Sequence, residues 1–198
     1  MFEKHQPAIQ EFCLKSDANA ERLFLLVLLS IRQPFHRMQE QFKSVATYGW
    51  QESPALFGWK REGFRYVKEN ISELRQILAN TPSGFGDVEA LLNLTKIPGI
   101  SLVKGGFCLQ LGSGSVGCLD THNLQRFGLN ENAFRISSNA SDKLKKAKGL
   151  AYLEACWRHG GCEDLWNTWC EYVSNRNKFW VDANHVSEYH AQTILGDF

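Results

Sequence analysis

The residues with chemical potential gather around one tight chain reversal. The stretch LTKIPGISLVKGGF spans residues 94–107, GSGS follows at 112–115, and CLDTHN occupies 118–123. One helix ends ahead of Pro98 and Gly99, these two residues turn the chain back, and a second helix starts at Ser101, a residue type that caps helix N-termini. The first amides of that helix and the N–H groups of the hairpin lack intrahelical partners. With the helix dipole they make an anion site of phosphate size, placed at Ile97, Gly99, Ile100 and Ser101. Such a device grips a nucleic-acid backbone without reading its sequence and without much net charge.

The elements around this segment read as helical throughout. Leu23, Leu26, Val27 and Ile31 repeat at spacings of three and four and predict a buried helix that stops before Pro34. Phe35, Met38, Phe42 and Val45 form a second stripe. Phe64, Val67, Ile71, Leu74, Ile77 and Leu78 form the clearest one, bounded by Gly63 and by Pro82 with Gly84. Short helices follow at Val88–Leu92, at Leu102–Leu111 and at Leu124–Phe127. Lys143–Trp157 predicts a basic-faced helix broken at Gly160 and Gly161, Leu165–Val173 another, and Ser187–Leu195 a last one. Loops are expected at 47–58, 80–86 and 128–141. No segment alternates apolar and polar residues long enough for a strand, so the class is all-α. Trp157, Trp166, Trp169 and Trp180 are expected to form a core that docks the C-terminal helices onto the N-terminal ones.

Together these features resemble the helix-hairpin-helix of the base-excision DNA glycosylase superfamily, whose hairpin reads roughly Leu-Pro-Gly-Val-Gly. An essential Asp follows it by about twenty residues in a Val-Asp-Thr-His context; here Asp120 stands 21 positions after Gly99 in CLDTHN. Leu25–Gln33 looks like the family's apolar helix with a polar break, and Gly58–Ile77 like its Gly-Tyr-Lys-Ala-Ile helix. The likeness covers about residues 20–130. It implies a single unit over 1–198 with two helical lobes and a cleft between them. One lobe is a six-helix type over 20–130, holding the hairpin (97–101) and Asp120. The second takes 1–19 plus 131–198.

The resemblance also implies a function: flipping one nucleotide out of duplex DNA and hydrolysing its N-glycosidic bond, as in base-excision repair. A carboxylate beside the sugar stabilises charge that develops in the oxocarbenium-like transition state and can orient the attacking water. Asp120 is the candidate, its other reading being a plain N-cap. His122 either orders the turn around Asp120 or takes part directly. Arg32, Gln33 and His36, in the break after the first long helix, are candidates for base or orphan-base contacts. Trp50, Phe57 and Trp59 are expected in the core or stacked on a base.

Two departures from the family stand out. Bifunctional members carry a Lys five residues after the hairpin proline, a position held here by Val103. Lys104 is one further, a rotation of about 100°, and is expected to face away from Asp120, toward phosphate or solvent. A monofunctional enzyme without lyase activity follows. Ser101 replaces a second hairpin glycine, which would cost energy if that position needed positive φ. Two other readings stay open on this segment. One is a phage enzyme of DNA base hypermodification that transfers a group onto a modified pyrimidine; the other is a non-catalytic DNA-binding module. The compact size resembles phage or other mobile-element versions.

Cys156, Cys162 and Cys170, with His159, depart from the family's four-cysteine iron–sulfur spacing, and Cys170 falls on an apolar stripe. Buried thiols are expected there, and no metal or cofactor. His185, Glu188 and His190 do not form a His-Glu-x-x-His zinc pattern. Lys143, Lys145, Lys146 and Lys148 read as a solvated face that would add phosphate contacts if it lay on the hairpin side. The 198 residues hold 22 Lys plus Arg against 21 Asp plus Glu, with 43% hydrophobic residues. That balance excludes a disordered chain and a polybasic coat for nucleic acid. The longest apolar run, Leu23–Leu29, is far short of the ~20 residues of a membrane helix, and no signal-peptide pattern opens the chain. The expected place is the cytoplasm, nucleoid-associated or in a host cell for a phage-encoded version, as a monomer bound to DNA and not to membrane.

Overall fold

The computed structural model describes residues 6–33, 37–81 and 87–176. Every regular element among them is helical: α1 (Gln6–Lys15), α2 (Asp17–Ser30), α3 (Met38–Glu52), α4 (Trp59–Asn80), α5 (Val88–Leu94), α6 (Leu102–Gly112), α7 (Thr121–Arg126), α8 (Asp142–Arg158) and α9 (Gly161–Arg176), with a 3-10 turn at Glu131–Phe134. The all-α class is thus observed. The predicted Ser187–Leu195 helix and Trp180 lie outside the described residues, as do His185, Glu188 and His190.

The central element is α2. Ser16 caps it by accepting from the Asn19 N–H at 3.2 Å. Leu23 to Leu29 are all buried, as befits a helix apolar on every side. It is surrounded by α1, α3, α4 and α6. The stripe predicted on α4 is real: Phe64, Val67, Leu74 and Leu78 are buried against this centre. Arg75 to Asp17 (2.6 Å) and Lys68 to Glu21 (2.7 Å) tie α4 to α2 from the half-exposed rim, a small contribution at that exposure.

Three expectations change. The loop placed at 47–58 begins later, because α3 continues to Glu52 through a kink at Gly49, whose φ is 73°; glycine tolerates that conformation inside a helical run. Residues 128–141 include the 3-10 turn, which buries Phe134 edge-on against Tyr152. Trp157 is 61% exposed and does not join the core, whereas Trp166 and Trp169 stack at 5.3 Å and Trp169 meets Phe107 of α6. Helix α1, within residues 1–19, packs on α2, α4 and α6.

Between α6 and α7, residues 115–119 are buried. Tyr152 of α8 holds this segment with one hydroxyl, which accepts from the Leu119 N–H and donates to the Gly117 carbonyl, both at 3.0 Å. Tyr152→Phe strands both backbone groups in the core. A loss of about 2 kcal/mol is expected, a fall of about 4–8 °C in melting temperature by calorimetry.

Candidate active site

The hairpin geometry follows from its two central residues. Ile100 N–H donates to the Ile97 carbonyl at 2.9 Å and Gly99 adopts φ 88°, a turn with Pro at its second and Gly at its third position. Ser101 has φ −91° and ψ 175°, and its hydroxyl accepts from the Lys104 N–H at 3.4 Å. Its place therefore needs no positive φ, and replacing glycine there costs no backbone strain. The N–H groups of Gly99, Ser101, Leu102 and Val103 find no acceptor among the described residues. The Ile97 and Ile100 N–H groups are used within the turn and their side chains are core, 1% and 6% exposed. Both residues also border the groove on the other side of the hairpin.

Asp120 is both an N-cap and a cavity residue. Its Oδ1 accepts from the Asn123 N–H at 2.9 Å at the start of α7. Asn123, fully buried, donates to the Cys118 carbonyl at 2.9 Å and to the Leu165 carbonyl of α9, so the acid is fixed on a braced turn. Burial raises the Asp120 carboxyl above its ordinary 3.8, and the Asn123 N–H, His122 and Lys104 offset this only partly. A raised carboxylate in a cavity is a recurrent feature of reactive sites.

That cavity measures about 660 Å³ and brings the sequence candidates together. Its walls include Ser30 to Gln33 after α2, Gly99 and Ser101 of the hairpin, Lys104 of α6, and Asp120 with His122. His36 lies outside the described residues. The expectation that Lys104 faces away from Asp120 is overturned. Val103 and Lys104 both line the cavity, because the long lysine stem reaches past the one-position rotation. Its Nζ donates to Ser30 Oγ at 3.0 Å and lies 5.4 Å from the Phe107 ring centroid. Arg32 occupies φ 55°, the one non-glycine residue with positive φ among those described. Backbone strain of about 1–3 kcal/mol held at a cavity wall is characteristic of functional segments.

Other candidates sit elsewhere. Trp50 packs on Phe64 with centroids 5.9 Å apart, Phe57 is 53% exposed, and Trp59 lies under the hairpin against Gly99; none lines the cavity. Cys156 donates to the Gly117 carbonyl at 3.2 Å and, like Cys170, is buried, and burial pushes the Cys108 and Cys13 thiols up to about 12. No cluster of three metal-binding side chains occurs among the described residues. On the other side of the hairpin, Gly99 and Ser101 also border a groove of about 950 Å³ with Lys96, Arg135, Lys143, Lys145 and Lys146. Lys145 and Lys146 pair with Asp142 and Glu89; Lys148 instead donates to the Asn132 and Ala133 carbonyls.

No protein-family model, curated protein or solved structure matches this chain.

Sequence reasoning missed Lys60, Phe107, Gln110 and Trp169. Lys60 is 1% exposed, donates to the Leu29 carbonyl at 3.1 Å and lies between the Phe57 and Trp59 rings. Burial, then the charge of Lys104, lowers its pKa. Within WKREGFR (59–65) it reads as one more surface charge, so nothing local marks it.

Proposed function

We propose that this protein is a DNA N-glycosylase of the helix-hairpin-helix kind, with two helical lobes, that hydrolyses the glycosidic bond of one extruded nucleotide. One observation carries the reading: Asp120, the hairpin and the strained break after α2 line one cavity. A duplex docks its backbone phosphates on the outward amides of Gly99, Ser101, Leu102 and Val103. Lys96, Arg135 and Lys143 in the adjoining groove supply charge along the strand. The base must leave the stack to be reached, and Arg32 and Gln33 stand where the vacated space or the extruded nucleotide would be contacted.

Cleavage is then electrostatic. As the C1′–N bond stretches, positive charge grows on the sugar, and the Asp120 carboxylate stabilises it. The same carboxylate orients the water that adds to C1′ and takes its proton. His122 follows Asp120 by two residues, and its charged form assists the ionisation of the acid. Lys104, inside the cavity, is available as a cation beside the reacting nucleotide.

The activity needs the anion of Asp120, and burial favours its neutral form. The rate should therefore rise with pH through a limb displaced above the ordinary carboxylate value of 3.8. Single-turnover rates between pH 4 and 8 check this. A limb at or below 3.8 would contradict the burial of the acid. The function itself is tested by incubating duplexes bearing uracil, hydroxymethylated, oxidised or alkylated bases, then heating in alkali. Breaks at the substituted position are expected after heating alone, and borohydride should trap no covalent adduct as long as the Lys104 ammonium stays bonded to Ser30 Oγ. A mass gain on the base in place of its loss would instead support group transfer. Binding with neither change would leave a DNA-binding module.

A further inference from the structure

We propose that Lys60, buried and out of reach of substrate, is a positioning residue that anchors the end of α2 and so holds the break carrying Arg32 against the cavity. This rests on the glycosylase reading, in which that break meets the extruded nucleotide or the space it leaves. The last four carbonyls of a helix lack intrahelical partners, and at the end of α2 each has found one. Val27 accepts from the Ser30 hydroxyl at 2.7 Å, Leu28 from the Ile31 N–H at 3.3 Å and Ser30 from the Gln33 N–H at 3.4 Å. Those three donors are local. Leu29 is served from a distant element, by Lys60 Nζ at 3.1 Å. It stands three positions before Arg32, whose φ is 55°, and a strained residue persists only where its surroundings over-determine it. Lys104 adds a tie to Ser30 Oγ, but from the cavity, where an arriving nucleotide competes for its ammonium. The lasting tie is Lys60.

The residue type argues the same way. A cation only 1% exposed is costly unless compensated, and among the described residues no carboxylate pairs with Lys60. Its charge is met by the negative end of the α2 dipole and by the Phe57 and Trp59 rings, 5.6 and 5.8 Å away. A methionine would fill similar space without that penalty, but it could not donate to Leu29. The hairpin rests on other groups of the same helix. Trp59 lies under Gly99, and Gly63 leaves no room beside the Pro98 carbonyl. The first two turns of α4 therefore set the hairpin and the break at a fixed separation, with Lys60 serving the break. Phosphate contact at the hairpin and presentation of Arg32 are thus separable.

Hydrogen exchange on the full chain without DNA reads the anchor directly. In Lys60→Met, amides at 30–33 should exchange about 10-fold faster, the weight of one hydrogen bond from a charged donor, while those at 97–103 keep native rates. Circular dichroism confirms folding; if the Met variant does not fold, Lys60→Leu replaces it with the same expectation. On DNA, affinity for an unsubstituted duplex, by fluorescence anisotropy, should stay within about 2-fold of native, because phosphate is met at the hairpin. The single-turnover rate at saturating protein, on whichever substituted duplex the native chain cuts, should fall about 10-fold or more. Native exchange at 30–33 in the variant, equal acceleration at 97–103, or a matching loss of affinity for the unsubstituted duplex overturns the proposal. Faster exchange at the break alone, in a protein whose native chain excises no base, would overturn the glycosylase reading and leave Lys60 as the anchor. Excision that Lys60→Met leaves unaltered would do the reverse.

Discussion

Asp120→Asn is expected to lower the single-turnover excision rate by about 10³-fold, close to 4 kcal/mol of transition-state stabilisation, while the fold becomes no less stable. Asn caps a helix about as well as Asp, so the bond to the Asn123 N–H can be kept. The amide also removes a buried charge. Because burial raises the folded-state pKa of Asp120, its contribution to stability is full below the ordinary carboxylate range and is lost as pH rises through the raised value. Any stability advantage of the Asn variant should therefore show at neutral pH and vanish in acid. Asp120→Ala loses both functions: the same fall in rate, with about 1 kcal/mol of capping and about 2–4 °C of melting temperature. Rates beside thermal melts at two pH values separate capping from catalysis. Full activity in the Asn variant would leave the residue a cap alone.

Gly99→Ala should cost about 3 kcal/mol, and about 6–12 °C in melting temperature. At φ 88° an L side chain is strained, and a Cβ there would overlap the Trp59 ring. The support below is as tight, since a Cβ on Gly63 of α4 would run into the Pro98 carbonyl and the Leu28 side chain. Neither neighbour yields cheaply, so the hairpin must move, and its outward amides move with it. DNA binding should weaken for every duplex alike, as befits contacts to phosphate. Calorimetry and anisotropy on one preparation check both effects. A variant with native melting and native affinity would show that the hairpin is not held as described.

What could be read from the sequence follows the physics of each element. The α4 stripe and the hairpin were legible because strong local determinants fix them: a long apolar period in one, Pro98 with Gly99 in the other. The pairing of Asp120 with the hairpin came through spacing in a resemblance, and the common cavity agrees with it. The side of α6 that Lys104 serves was not legible, since helical rotation places a Cβ while a four-carbon stem decides where the ammonium goes. Lys60 and Gln110 were invisible for another reason. A buried polar residue looks in sequence like an exposed one, and only tertiary packing tells them apart. Trp157 shows the converse, an aromatic residue on a helix that leaves it in solvent.

The most direct measurement is the affinity for two uncleavable duplexes, one with a cationic pyrrolidine in place of the target sugar and one with neutral tetrahydrofuran. A carboxylate aimed at a developing sugar cation should bind the cationic mimic about 10²-fold or more tightly than the neutral one. That excess should disappear in Asp120→Asn. Equal affinity of the native chain for the two duplexes, or an excess that survives in Asp120→Asn, would contradict a role for this acid at the sugar.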